Sequence, residues 1–212
     1  MTAGYSYSSV YSPDEAFYLL NIRGAGVVYV FDMRGNLEDG SSRVTRWNAI
    51  NPLCLLYRTV ENDVLIGKET GVTKYTGHLD GVTTDGSGGS GYQMSYFTNY
   101  LDFGAPSNLK MLKNLKITFI GGSDTGVTLN YGYDYDFAYK KRAFVLPEQN
   151  IAEFGIAEFG VGEYNQGILV NRPSVNASSA GAVVQLGVEV NIEGSPISVQ
   201  RITAQSVLGR VV

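Results

Sequence analysis

The sequence predicts an all-β protein: a propeller-blade-like antiparallel meander followed by a β-sandwich-like domain. Three observations predict it. Strand-length apolar runs recur about every ten residues through the first third of the chain, with turn chemistry between them. Among 212 residues, 26 Gly, 15 Tyr and 9 Phe supply turns and half-buried strand faces. No segment sustains a helical period.

In the first part, 1–80, the strand-length runs are "AFYLLNIR" (16–23), "GVVYVFDMR" (26–34), "SRVTRWN" (42–48), "LCLLYRTV" (53–60), "DVLIGKE" (63–69) and "GVTKYTG" (71–77). The segments "RGAG", "GNLEDGS", "NAINP", "END" and "TG" punctuate them. Residues 81–91, "GVTTDGSGGSG", are the one low-complexity tract and read as a linker or a long hairpin loop. The second part, 92–212, carries longer runs: "YQMSYFTNYLDFG" (92–104), "KITFIGG" (116–122), "TGVTLNYGYDYDF" (125–137), "GAVVQLGVEVNIEG" (181–194) and "ISVQRITAQSVLGRVV" (197–212). Val127, Leu129, Tyr131, Tyr133 and Tyr135 keep a strict period of two, so one face of that strand is expected to be buried.

Charge and cysteine usage narrow the function classes. The net charge of −4 is even, with 7 basic and 9 acidic side chains in 1–80 and 9 and 11 in 81–212. No basic stripe marks tight binding to phosphates. The single cysteine, Cys54, excludes an internal disulfide and any cysteine-based zinc site. Its place in "PLCLLY" predicts a buried, inert thiol. The N-terminus has no signal-peptide pattern, and no apolar stretch approaches the ~18 residues of a membrane span.

Candidate chemistry is sparse. The pentads "IAEFGIAEFGVGEYN" (151–165) space Glu153, Glu158 and Glu163 evenly. An offset of five turns successive glutamates about 140° apart on a helix and to opposite faces of a strand. The array is therefore expected to be architectural. His78, the only histidine, removes Ser-His-Asp and multi-histidine metal sites, and is expected in a solvent-facing loop beside Asp80. In "LEDGSSRVTRW", Arg43 and Arg46 are expected to pair with Asp32 or Glu38 across strands, with Glu38 and Asp39 in a hairpin turn and Trp47 as a core anchor.

"YGYDYDFAYKKR" (131–142) has the tyrosines and the Lys140, Lys141 and Arg142 of a single-strand nucleic-acid platform, but Asp134 and Asp136 oppose that field, and a sheet with one wet face is the favoured reading. Lys110, Lys113 and Lys116 read as a solvated face. "GSGGSG" lacks the Lys-Ser/Thr of a phosphate-binding loop, and Asn176-Ala-Ser178 is a glycosylation sequon by pattern only. Catalytic, cofactor and metal residues are expected to be none, and no enzyme is predicted.

The string "YSPDEAFYLLNIRGAGVVYVFDMRGNLEDGSSRVTRWN" (11–48) resembles the blade motif of the tail nozzle proteins of short-tailed, podovirus-type phages, which are head-to-tail and packaged-DNA stabilisation components. "VENDVLIGKETGVTKYTG" resembles the next strand pair of such a blade. "SYFTNYLDFG", "KNLKITFIGG" and "SPISVQRITAQSVLGR" are similar to the β-rich C-terminal portion of that family. The resemblance implies a virion protein, made in the host cytoplasm, in a ring of six sister subunits below the portal and adaptor. Packaged DNA would pass through the lumen without sequence-specific contact. Nozzle proteins are several times longer, and the material here suffices for one or two blades. A carbohydrate- or receptor-binding β-module of a tail is the second expectation. A glycan-degrading enzyme using Glu153, Glu158 or Glu163 is the third.

Overall fold

The computed structural model describes residues 6–36, 42–48, 50–84, 86–148 and 170–211, and all of its regular structure is strand. The chain divides into two compact units, Met1–Ser90 and Gly91–Val212. Glu38, Asp39 and the pentad glutamates Glu153, Glu158 and Glu163 lie outside the described residues.

Unit 1 is two successive four-stranded antiparallel meanders. The first runs β1 (Ser6–Ser12), β2 (Phe17–Arg23), β3 (Val27–Asn36) and β4 (Ser42–Trp47); the second runs β5 (Cys54–Arg58), β6 (Asp63–Lys68), β7 (Gly71–Lys74) and β8 (Val82–Thr83). Each strand pairs with the next in sequence, so only short turns are needed, as in a propeller blade. The period of two sends Phe17, Leu19, Val28 and Val30 of the first meander to one face, where they bury with Val64 of the second. Trp47, Leu55, Tyr57 and Tyr75 pack against this core.

The rings interlock across the two meanders. Phe17 meets Tyr75 edge-on with centroids 5.3 Å apart, and Trp47 stacks on Tyr75 at 5.3 Å and 14°. Trp47 is the core anchor its place at a strand end predicts. Asn21 carries the polar part of the contact: its Nδ2 donates to Ser8 Oγ at 3.1 Å and to the Pro52 carbonyl at 2.9 Å, tying β2 to the turn before β5.

The Gly/Ser tract closes unit 1. β8 pairs with β7, Asp80 bridges Ser90, and Val82 is 2% exposed. The boundary between units falls after Ser90, because Val82 gives the tract an apolar anchor and Gly89 lies close to Leu79 and Val82.

Unit 2 packs two sheets face to face. One is β12 (Lys140–Val145), β11 (Gly126–Tyr133), β16 (Val184–Ile192) and β9 (Tyr92–Phe97), in that order. The other centres on β10 (Asn108–Gly121), with β17 (Ile197–Val211) along one side and β13 (Val170–Asn171), β14 (Ser174–Asn176) and β15 (Ala180–Gly181) along the other. Ile117 and Phe119 from one sheet and Val127, Leu129, Val188 and Val190 from the other form the centre of the core. The predicted alternation of β11 holds through Tyr131, fully buried, and Tyr133. It stops there because Asp134 and Tyr135 have φ of 51° and 61°, which turn the chain out of the sheet.

β10 explains Lys110. Its inward residues are Lys110 and Leu112, then Leu115, Ile117 and Phe119. A register shift between Leu112 and Asn114 inserts one residue and flips the parity. Lys113 and Lys116 are exposed as expected, but Lys110 is 0% exposed, a correction to the solvated-face reading. Its Nζ donates to the carbonyls of Ala105 at 2.5 Å and Ala182 at 2.6 Å, which fastens two loops together.

In unit 1, Asp63 is the electrostatic fastener of the second meander. Arg58 donates to it at 2.6 and 2.9 Å and Lys74 lies at 3.2 Å, linking β5, β6 and β7. The Arg58 hydrogen bonds, then those of Lys74, hold its carboxyl below the ordinary carboxylate range against the opposing effect of burial. A depressed carboxylate adds stability above its unfolded pKa and loses it as pH falls through the folded value. Asp63→Asn is therefore expected to lower unit 1 stability at pH 7 by about 2 kcal/mol. In urea titrations across pH, the gap to the parent should shrink below about pH 4. An undiminished gap at low pH would contradict this assignment.

Candidate interaction surfaces

The face of the first meander opposite its core is also apolar. Register places Tyr7, Ser9 and Tyr11 of β1 beside Tyr18, Leu20 and Ile22 of β2, then Val27, Tyr29 and Phe31 of β3, then Val44 and Arg46 of β4. Tyr7 is 66% exposed, and Tyr11 and Val44 are 49% exposed. Tyr18, Leu20, Ile22, Tyr29 and Phe31 are half-buried, chiefly by one another; the Tyr18 and Phe31 rings lie 6.0 Å apart. Four strands of about seven residues give a face of roughly 440 Å². That lies within the ~300–600 Å² of the largest apolar patch on a typical monomer, which is often functional.

The far face of the second meander is smaller in apolar content. Leu55 and Tyr57 point into the core, so alternation puts Cys54, Leu56 and Arg58 outside, with Leu65 and Val72 alongside. Leu56 is 59% and Val72 51% exposed. Cys54 is exposed rather than buried, which corrects the reading from "PLCLLY". In a run that is apolar at every position, the sequence carries no parity to say which residues face out. Its Sγ lies over Gly67, where a Cβ would come within 2.5 Å.

Asp32 sits opposite Arg43 in register, but its close partner is Arg34, which donates at 2.9 and 3.0 Å and lowers the carboxyl pKa to about 2. His78 is half-buried rather than solvent-facing. A cleft of about 610 Å³ opens between the β2–β3 and β6–β7 turns, lined by Arg23, Asn51, Lys68 and Glu69 among others. Lys68 is paired to Asp80 at 3.1 Å, and no group of three or more metal-ligating side chains occurs among the described residues.

The Tyr/Asp/Lys stretch of unit 2 is largely consumed by the fold. Tyr131 is buried, and the Tyr133 hydroxyl donates to the carbonyls of Ser178 and Ser179 at 3.2 and 2.9 Å, its pKa pushed up to about 12 by burial. Asp134 accepts from the backbone N–H groups of Ala182 and Val183. Lys140 donates to the Ser179 hydroxyl, and Lys141 pairs with Glu189 at 3.5 Å. Tyr135, 63% exposed, and Phe137, 79%, are the rings of this stretch left to solvent among the described residues. Asn176, the sequon residue, is exposed on β14 and accepts from Asn114 Nδ2 at 3.4 Å.

On the outer face of the four-stranded sheet, Phe97 and Tyr139 roof Gly187 and Gly132. A Cβ at either glycine would collide with the ring above it, and the rings themselves lie 5.1 Å apart. Asn130 is on the same face, level with Gly187, 1% exposed, with neither amide atom hydrogen-bonded. No known protein-family model matches the chain, and no curated protein is significantly similar to it. Among the described residues, no helix is long and apolar enough to cross a membrane.

A buried amide without partners costs roughly 1–3 kcal/mol. Asn130→Val is accordingly expected to raise the melting temperature of unit 2, a gain of about 1 kcal/mol in denaturant titration. A loss would show that the amide has a stabilising role.

Proposed function

We propose that this chain is a structural virion protein of a short-tailed phage. It forms part of the nozzle or tail-tube ring that retains packaged DNA and conducts it at ejection. The observation that carries the reading is the outer face of the first meander, an aromatic sheet surface on a blade-like unit. A patch of this size is often functional. An assembly protein needs such faces.

The resemblance supports the same reading at the level of elements. "FYLL" falls on β2, "VYVFD" on β3, and Arg43, Arg46 and Trp47 on β4, while "DVLIGK" is β6. The mechanism is mechanical and electrostatic. Rigid sheets form the wall, and a net charge of −4 without a basic stripe lets DNA pass without being held. Sister subunits, the portal, the adaptor and other tail proteins are the partners of such a wall. The second reading, a carbohydrate- or receptor-binding module of a tail, is favoured by the exposed Tyr135 and Phe137.

Negative-stain imaging of the purified chain, paired with a DNA-binding titration at low salt, tests the proposal. Ring-shaped particles of about six copies with a central opening, and DNA binding no tighter than non-specific levels of about 10⁻⁴–10⁻⁶ M, are expected. Tight DNA binding without rings would overturn it. Isolated particles that bind a glycan through Tyr135 and Phe137 would establish the second reading instead.

A further inference from the structure

We infer that the outer face of the four-stranded sheet of unit 2 binds a neutral oligosaccharide, with the Asn130 amide gripping two neighbouring hydroxyls beside a strip of rings. The inference rests on the carbohydrate reading above and deepens it by naming the site and the class of sugar. It needs no assembly into a ring.

Three observations carry it. The first is the amide. Leu129 and Tyr131 face the core, so Asn130 between them points to the outer side of β11. In strand register it lies between Lys141 of β12 and Gly187 of β16, with Phe97 of β9 next in the row. It is nevertheless 1% exposed, flanked by the Phe97 ring over Gly187 and the Tyr139 ring over Gly132, and neither Oδ1 nor Nδ2 is hydrogen-bonded. Native folds keep few such groups, and each that remains requires an explanation. An amide sets an acceptor beside a donor, and two adjacent sugar hydroxyls, each able to donate and accept, match that pair.

The second observation is the strip of rings. Phe97 and Tyr139 lie 5.1 Å apart, and Tyr100 and Tyr135 lie 4.2 Å apart. Burial, then the neighbouring Tyr139, raise the Tyr100 phenol above its ordinary value, so the two pairs adjoin. Tyr135 is 63% exposed at the end of the strip. The negative face of an aromatic ring attracts the C–H groups of a sugar ring. The third observation is charge. Among the described residues, Lys141 and Glu189 are the charged side chains that register puts on this face, and they pair at 3.5 Å. Gln93, Ser95, Thr128 and Asn191 beside them are uncharged. An anionic ligand meets no unpaired cation in that register, whereas a neutral, hydroxyl-rich one meets partners throughout.

Because the amide is buried, a sugar reaches it only when one ring turns aside. Tyr139 lies in the segment between β11 and β12, and its hydroxyl donates to Gln185 Oε1. A sugar ring that takes its place brings hydroxyls to both Asn130 and Gln185. Such a pocket is a minor conformation that the ligand makes dominant. Keeping an amide that lowers stability is what a binding role explains.

The test titrates the full chain with linear tetrasaccharides of glucose, galactose and mannose, α- and β-linked, followed by protein-detected NMR. At least one is expected to bind with a Kd of about 1 mM and to move the Asn130 side-chain amide signals and the Tyr139 ring signals. Asn130→Val, expected to be the more stable protein, should weaken that sugar ~10-fold, so the loss is not one of folding. Tyr135→Ala should weaken it about 5-fold. A folded parent that binds none of these sugars at about ten times that concentration would overturn the inference and the carbohydrate reading together. A sugar that is weakened by Tyr135→Ala, yet binds Asn130→Val as tightly as the parent, would sink this site and leave the carbohydrate reading standing. Should Asn130→Val fail to fold, the parent decides alone: Asn130 amide signals that stay in place while a sugar binds overturn the site.

Discussion

A β-sheet has two faces, and the first meander of unit 1 is apolar on both. Everything else in unit 1 follows from how that constraint is met. The second meander covers one face with Val64, Leu55 and Tyr57 and locks it through Trp47 and Tyr75. The other face has no such cover among the described residues of unit 1, although it carries Tyr7, Tyr11 and Val44 half-exposed or more. Burying a side chain of this size contributes about 1.5–3 kcal/mol relative to leaving it in water. Covering a face built from such side chains would favour association, and that is the physical link between the fold and the proposed role in a tail assembly.

Unit 2 meets the same constraint internally. Its two sheets bury their apolar faces against each other, and the outer face of one is closed by its own rings, Phe97 and Tyr139 lying on Gly187 and Gly132. Lys110 and Asp134 tie the 177–183 loop to β10 and to the end of β11, so residues that looked like a charged surface serve as internal fasteners. Lys141 pairs with Glu189, and no group of three or more His, Cys, Asp or Glu side chains that could hold a metal ion occurs among the described residues.

Much of the fold was legible because strands with one buried face write their parity into the sequence. Leu19, Val28, Val30, Val127 and Leu129 alternate and land in the cores. Legibility fails where parity is broken or absent. The bulge near Lys113 flips β10 and carries Lys110 inward, a step no spacing rule anticipates. The "CLLY" run is apolar on both sides, so Cys54 and Leu56 could not be told from Leu55 and Tyr57. β1 reads as alternating Tyr and Ser, with Val10 as its one aliphatic inward residue, and β12 as a basic cluster. Both are edge strands whose pairing is set by neighbours rather than by their own composition. The aromatic outer face was present in the sequence as the residues between the core positions of "FYLLNIR" and "VVYVF". Only the register shows that they converge.

Sedimentation velocity over a concentration series from about 1 to 300 µM tests the central claim most directly, since that span covers micromolar association. The account predicts an apparent mass that rises from, or stands well above, the 23.0 kDa of one chain, because association would cover the aromatic face. A single species of 23.0 kDa across the whole series would contradict it.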